Sequence, residues 1–274
     1  MSAESLLKYL FLCIFLFTVP VSAEKEEDYD TGREFEIGLR LGSGYHAKDR
    51  FENSLSSFKS LNSSLTPSVT DLSPFRRTQN SELFFRARWS RRWKVGFTFG
   101  NLRQEKFTLQ ELSSNGNYSR LKFNMNTDFL FINAFYEWYF RKFSIELGGG
   151  LGVNNTNLNS DGFNYTSFGF SSDNGRLTGS GLAYRLEAAV NRRITEYVSF
   201  QIGTAVSVYT VPYFSGSLND SSGTYYVKSD GTVSQATAAQ AGSTVLSDEI
   251  NVRRLDMVLG NFQIYMGTML RFRL

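Results

Sequence analysis

From Asp128 to Val153 the chain reads DFLFINAFYEWYF, then Arg141-Lys142, then FSIELGGGLGV. Before the basic pair, Leu130, Ile132, Ala134, Tyr136, Trp138 and Phe140 recur at a spacing of two. After it, Phe143, Ile145, Leu147, Gly149, Leu151 and Val153 do the same. The opposite face carries Asn133, Glu137, Ser144, Glu146, Gly148, Gly150 and Gly152. A period of two puts successive side chains on opposite faces of a strand, and a two-residue joint makes an antiparallel hairpin. This hairpin unit, apolar on one face and small or charged on the other, recurs along the chain.

The alternation predicts eight strands, at residues 33–45, 82–90, 93–99 (extending to 107), 121–140, 143–153, 182–190, 198–208 and 262–274. Short joints follow the second, fourth and sixth. Longer polar stretches follow the first, third, fifth and seventh, through about residues 80, 120, 178 and 251. Four such stretches on one side and three tight joints on the other describe an up-and-down barrel with all its long loops at one end. Phe51, Leu55, Phe58 and Leu61 suggest a helical turn in the first loop. The part of the last loop from Ser217 to Ala241 is poor in apolar residues and is expected to be mobile. Asp173-Asn174-Gly175 and Asp230-Gly231 read as turns.

The start of the chain is of another kind. Lys8, the apolar run 9–19 and Val21-Ser22-Ala23 form a secretory signal over residues 1–23, too short in its apolar part to span a bilayer. A short acidic segment, 24–32, precedes the barrel domain at 33–274. The single cysteine, Cys13, lies in the signal, so the exported chain holds itself together by its sheet. A net charge of +3 spread over 274 residues carries no signal for nucleic acid.

Three features separate a membrane barrel from an exported soluble one. Glycine crowds the polar face (Gly38, Gly42, Gly96, Gly148, Gly150, Gly203), as the narrow bore of eight strands requires and a solvated face does not. All three tryptophans sit at the short-joint end. Trp89, Trp93, Trp138, Phe140, Phe143 and Tyr197 then form an aromatic girdle, with basic joints facing lipid head groups. The last strand keeps its apolar face to the end of the chain.

In signal, strand count, loop asymmetry and amphipathic terminal strand the chain resembles the small outer-membrane barrels of the OmpA/OmpX/Opa type. That resemblance implies an all-β, eight-stranded antiparallel up-and-down transmembrane barrel with long extracellular loops, placed in the bacterial outer membrane by the assembly machinery. The chain ends in Leu274 with Phe272 two before it, a departure from the terminal aromatic usual in such barrels. Its implied partners are outer-membrane lipids and an extracellular ligand or host molecule.

Inward parity collects Glu34, Glu36, Arg40, Arg86, Arg88, Lys94, Glu137, Glu146, Arg185, Glu187, Arg271 and Arg273, mostly toward the short-joint end. Opposite charges in a bore of low dielectric are expected to pair. The expectation is therefore a salt-bridged plug below and a shallow vestibule above, lined by glycine and small polar groups with Phe129, Phe131 and Tyr265 as fillers. His46, the only histidine, reads as an exposed loop residue; a lipid-modifying active site using it is the minor alternative. No spacing calls for a cofactor or a metal. Tyr213, Phe214, Tyr225 and Tyr226 are candidate loop contacts. The expected function is a non-enzymatic surface barrel acting in envelope integrity and adhesin-like contact, with a narrow channel for ions or small solutes as the alternative.

Overall fold

The structure is a computed structural model that describes residues 34–47, 69–73, 76–112, 118–140, 143–166, 169–218, 221–227, 233–236, 253–254 and 256–273. The signal, the acidic segment, the Arg141-Lys142 joint and the suggested helical turn lie outside the described residues. Among the described residues there are thirteen strands: β1 Glu34–His46, β2 Val69–Ser73, β3 Arg77–Arg88, β4 Trp93–Leu112, β5 Tyr118–Tyr139, β6 Phe143–Thr166, β7 Gly169–Arg193, β8 Val198–Val211, β9 Ser215–Leu218, β10 Ser221–Val227, β11 Val233–Ala236, β12 Arg253–Arg254 and β13 Met257–Arg273.

Eight of them close a ring. Each of β1, β3, β4, β5, β6, β7 and β8 pairs antiparallel with the next in that order. β13 then pairs with both β8 and β1, leaving no open edge in the wall. Strand parity decides what faces where. On β1 the burial alternates without a break from Glu34 to Leu41: Glu34, Glu36 and Arg40 are buried, while Phe35, Ile37, Leu39 and Leu41 are exposed. The same inversion runs round the ring, with Leu41 67% and Leu151 66% exposed against 0% for Glu137. The molecule is thus apolar outside and charged inside. Closing the sheet gives each wall strand a hydrogen-bonded neighbour on both sides, which an open sheet cannot do at its edges.

The wall is uneven in height, and here the structure corrects two expected loops. The stretch after Val153 is strand, not loop. β6 and β7 stay in register from Phe143↔Arg192 to Thr166↔Gly169, and Gly169 takes a left-handed φ of 136° as the chain turns back. β4 and β5 likewise pair up to Leu112↔Tyr118, past a bulge between Gln104 and Phe107. From Leu158 to Thr166, β6 rises about 26 Å at 3.3 Å per residue. On the other side β1 ends at His46 and β8 at Val211.

The strands that rise past the ring acquire new partners. Beyond the bulge β4 pairs with β2, and β7 exchanges β8 for β9, which leads on to β10, β11 and β12. The expected mobile stretch 217–241 therefore contains strand residues, part of a sheet edge continuous with β7. Between the β8 and β9 pairings the ladder is patched by side chains. Asn154 Nδ2 donates to the carbonyls of Leu182 and Thr210 at 3.0 and 3.1 Å, and Thr210 Oγ1 donates to the Leu182 carbonyl at 2.9 Å.

Candidate functional site: the closed lumen

An eight-stranded ring leaves an interior only wide enough for side chains. Those of even-numbered residues on β1, β3 and β4, and odd-numbered ones on β7, β8 and β13, point into it. The charged ones form two connected tiers.

The tier nearer the short turns is a closed circuit. Glu34 meets Arg88 at 3.0 Å, Arg88 meets Glu137 at 3.3 Å, and Glu137 meets Lys94 at 2.8 Å. Lys94 meets Glu36 at 2.8 Å, Glu36 meets Arg271 at 3.3 Å, and Arg271 returns to Glu34 at 3.6 Å. Lys94 also reaches Glu146 at 2.6 Å, which opens the second tier. There Glu146 holds Arg86 at 2.6 Å and Arg86 holds Glu187 at 3.0 Å. Glu187 pairs with Arg40 at 2.8 Å and Arg185 at 3.0 Å, and both arginines converge on Glu82, at 3.5 and 2.6 Å. Among the described residues each tier contains three cations and three carboxylates, so these groups balance.

Neutral groups complete the circuit. Ser144 donates to Glu137, Gln201 to Glu146 at 3.1 Å, Tyr265 to Glu187 at 2.8 Å, and Gln263 to Glu82 at 3.1 Å. Tyr139 bridges Arg88 and Glu137. Aromatic rings stack on the guanidinium planes: Arg86 lies 3.8 Å from the Phe135 centroid, and Arg40 lies 4.2 Å from that of Phe84. Charges withdrawn from water are tolerable only when paired and hydrogen-bonded in this way.

Above the charges the structure departs from the expected vestibule. Phe129, Phe131 and Tyr209 cluster with centroids 5.3, 5.7 and 6.1 Å apart. Leu102, Met125, Leu158, Leu177, Val211 and Phe214 pack around them into one buried apolar cluster. The upper bore is a stopper, because the tall strands β5 to β7 carry large inward residues over it. Tyr265 lies lower, beside Ala189 and Ala205.

Several assignments change in consequence. Glu82, which joins two arginines, has the inward parity of Phe84 and Arg86 and is missed only because it opens its predicted strand. Arg273's side chain lies outside the described residues. Phe214 is 1% exposed and belongs to the stopper, not to a loop contact surface, while Tyr213 beside it is exposed. The side chains of Tyr225 and Tyr226 lie outside the described residues. His46 is buried at the end of β1, its ring against Gln104 and the Ala47 carbonyl, and is not an exposed loop residue. Among the described residues no group of three His, Cys, Asp or Glu could hold a metal ion.

On the outside, Trp89, Trp93, Trp138, Phe143 and Tyr197 are exposed at the short-turn end, and Phe140 stacks on Phe143 at 4.8 Å. Trp93 and Trp138 meet Tyr136 edge-on at 5.3 and 4.7 Å.

The wall, its polarity and its filling together describe one architecture. The chain is an all-β, closed eight-stranded antiparallel barrel. No protein-family model and no curated protein matches the chain. Among solved structures it is similar to a major outer membrane protein from Thermus thermophilus, at 10% identity and a TM-score of 0.42, covering 87% of this chain and 99% of that one. It is similar to the outer membrane protein OprG from Pseudomonas aeruginosa, at 11% and 0.38, covering 91% and 100%. Neisserial surface protein A follows at 8% and 0.37, covering 88% and 99%. The fold assignment rests on the chain's own strand pairing.

Proposed function

We propose that this chain is an exported, non-enzymatic barrel of the bacterial outer membrane, with a closed lumen that serves stability and a tall outer wall that serves surface contact. The reading of residues 1–23 as a removed signal supports export. The exposed apolar girth supports the membrane: an unbroken ring of bare Leu, Ile, Val and Phe far exceeds what a soluble monomer tolerates. The apolar face spans 9 residues on β5, Leu130 to Trp138, and 11 on β6, Phe143 to Val153, the length a tilted strand needs to cross a bilayer. Outer-membrane lipids surround this band, the assembly machinery receives the chain, and the wall above Leu158 and Leu177 faces an extracellular ligand.

The observation that carries the functional reading is the doubly closed bore, two balanced ionic tiers beneath an apolar stopper. Such an interior contributes register and cohesion and offers no continuous aqueous path. Purified protein in a planar bilayer is expected to show no steady conductance, and a steady open level would overturn the closed-lumen reading. The specific rival is a narrow channel along the lumen face of β8, where Ser199, Gln201, Gly203, Ala205 and Ser207 form a strip of small and polar side chains. The same recording decides between them.

A further inference from the structure

Where the tall wall leaves the apolar band, its outer face changes character within one pleat. The last outward apolar row is Phe99, Leu130, Val153 and Leu182, paired side by side across β4 to β7 and 42–55% exposed. One outward position higher, the same four strands carry Asn101, Asp128, Asn155 and Ser180. The next row is Arg103, Asn126, Asn157 and Thr178, and a third, on β5 to β7, is Asn124, Asn159 and Arg176. Six of these eleven positions are asparagine. Asparagine is disfavoured in strands, and a merely solvated strand face has no need of it, so the array calls for a partner.

Hydrogen bonds within the array hold its side chains in place. Asn101 Nδ2 donates to Asp128 at 2.6 Å, and Arg103 Nε donates to the Asn101 amide oxygen at 3.3 Å. Ser180 donates to the Asn155 amide oxygen at 3.2 Å, and Arg176 Nη2 donates to that of Asn157 at 3.2 Å. With these oxygens turned sideways, the amide nitrogens of Asn155 and Asn157 are the ends presented to a partner. Asp128, the one carboxylate in the three rows, is engaged by Asn101, and Arg103 and Arg176 leave the array with an excess of positive charge. Neighbouring side chains stand about 5 Å apart across the strands and about 7 Å apart along them, the scale of a sugar ring. A flat grid of amide donors and acceptors matches sugar hydroxyls, each of which both donates and accepts.

Resting on the membrane reading above, we infer that this face of β4 to β7 is a docking surface for an acidic glycolipid in the leaflet at the tall-wall end. The acyl chains lie along the last apolar row, and the sugar head lies on the amide rows. The occupant is a lipid and not a soluble glycan because the first amide row follows the last apolar row without a break, at the level of the head groups. Arg103 on β4 and Arg176 on β7 stand on opposite flanks, three strand spacings or about 14 Å apart. They therefore serve separate acidic groups, and the head that fits is an oligosaccharide with an acidic substituent at each end.

The test separates sugar from charge. The full chain is folded into phosphatidylcholine vesicles containing equal minor fractions of lipid A, an acylated disaccharide with two phosphates, and phosphatidylglycerol, which is anionic but carries no sugar. The vesicles are floated on a density gradient and dissolved in mild detergent, and the lipids kept by the folded chain are counted by native mass spectrometry. Lipid A is expected to be retained at least about threefold over phosphatidylglycerol, through charge-assisted and amide hydrogen bonds together. N155A/N157A/N159A and R103Q/R176Q, checked for folding by circular dichroism and trypsin resistance, are each expected to reduce that excess. Should the alanine variant fail to fold, N155T/N157T/N159T, built from a strand-favouring residue, replaces it with the same expectation. Equal retention of the two lipids overturns the docking surface while leaving the membrane barrel in place. So does an excess that either the asparagine or the arginine variant retains in full. A chain that does not float with the vesicles overturns the membrane reading itself.

Discussion

Glu146 shows how much rests on single residues in this lumen. It accepts from Lys94, Arg86 and Gln201 and is the junction between the two ionic tiers. Replacing it with Ala leaves two buried cations short of their counter-charge, so E146A is expected to lower stability by about 3–5 kcal/mol, read from the urea midpoint in lipid vesicles. Gly203 is the complementary case. A Cβ there would lie 2.3 Å from the Tyr265 hydroxyl oxygen and 2.7 Å from the Ala188 carbonyl oxygen. G203A therefore drives Tyr265 off Glu187 and is expected to cost about 1–3 kcal/mol in the same assay. At this scale much of the site is legible in the sequence, because strand parity alone sends Arg86, Lys94, Glu146 and Glu187 inward. The pairing is not legible. Arg86 and Glu187 are 101 residues apart and meet only because the ring closes.

Among the elements, the tall β6–β7 hairpin is the one the sequence conceals. Residues 154–178 are rich in Asn, Ser and Gly, which reads as loop, yet the two strands pair through it without a break. The reason is structural context. A hairpin already in register below Val153↔Leu182 extends at low entropic cost, and its lower inward positions are buried but polar, as at Asn154 and Thr156, so they show no apolar alternation. Leu158 and Leu177, directly opposite each other, are large apolar inward residues, and they line the stopper. The part above them is separable. Replacing residues 161–174 with Asn-Gly between the facing Ser160 and Gly175 is expected to leave the thermal unfolding of the barrel unchanged while removing the wall that faces outward. A large loss of stability would show that the hairpin tip belongs to the core.

For the whole molecule, closure is the property that matters. β13 pairs along its length with β1 on one side and β8 on the other, and its Arg271, Gln263 and Tyr265 reach into the lumen network. A chain ending at Asp256 would expose two sheet edges in lipid and leave Glu34 and Glu36 without Arg271. It is expected to yield no protease-resistant barrel on refolding, by gel assay after trypsin. A resistant core from that truncated chain would show that the remaining seven strands can close alone.

Period-two alternation, read along the chain, already determines the eight wall strands, their antiparallel order, the face that turns outward and the charges that turn inward. These are local properties, set by the pleat and by the apolar face each strand must turn away from its charges. What only the tertiary structure decides is everything that depends on residues meeting across the bore. This includes the two balanced ionic circuits, the part of Glu82, the apolar stopper with Phe214, and the burial of His46. It also includes the uneven wall. Parity assigns a side chain to the lumen, but which side chains share a level is set by the register round the closed ring, and that is fixed only when β13 joins β8 to β1.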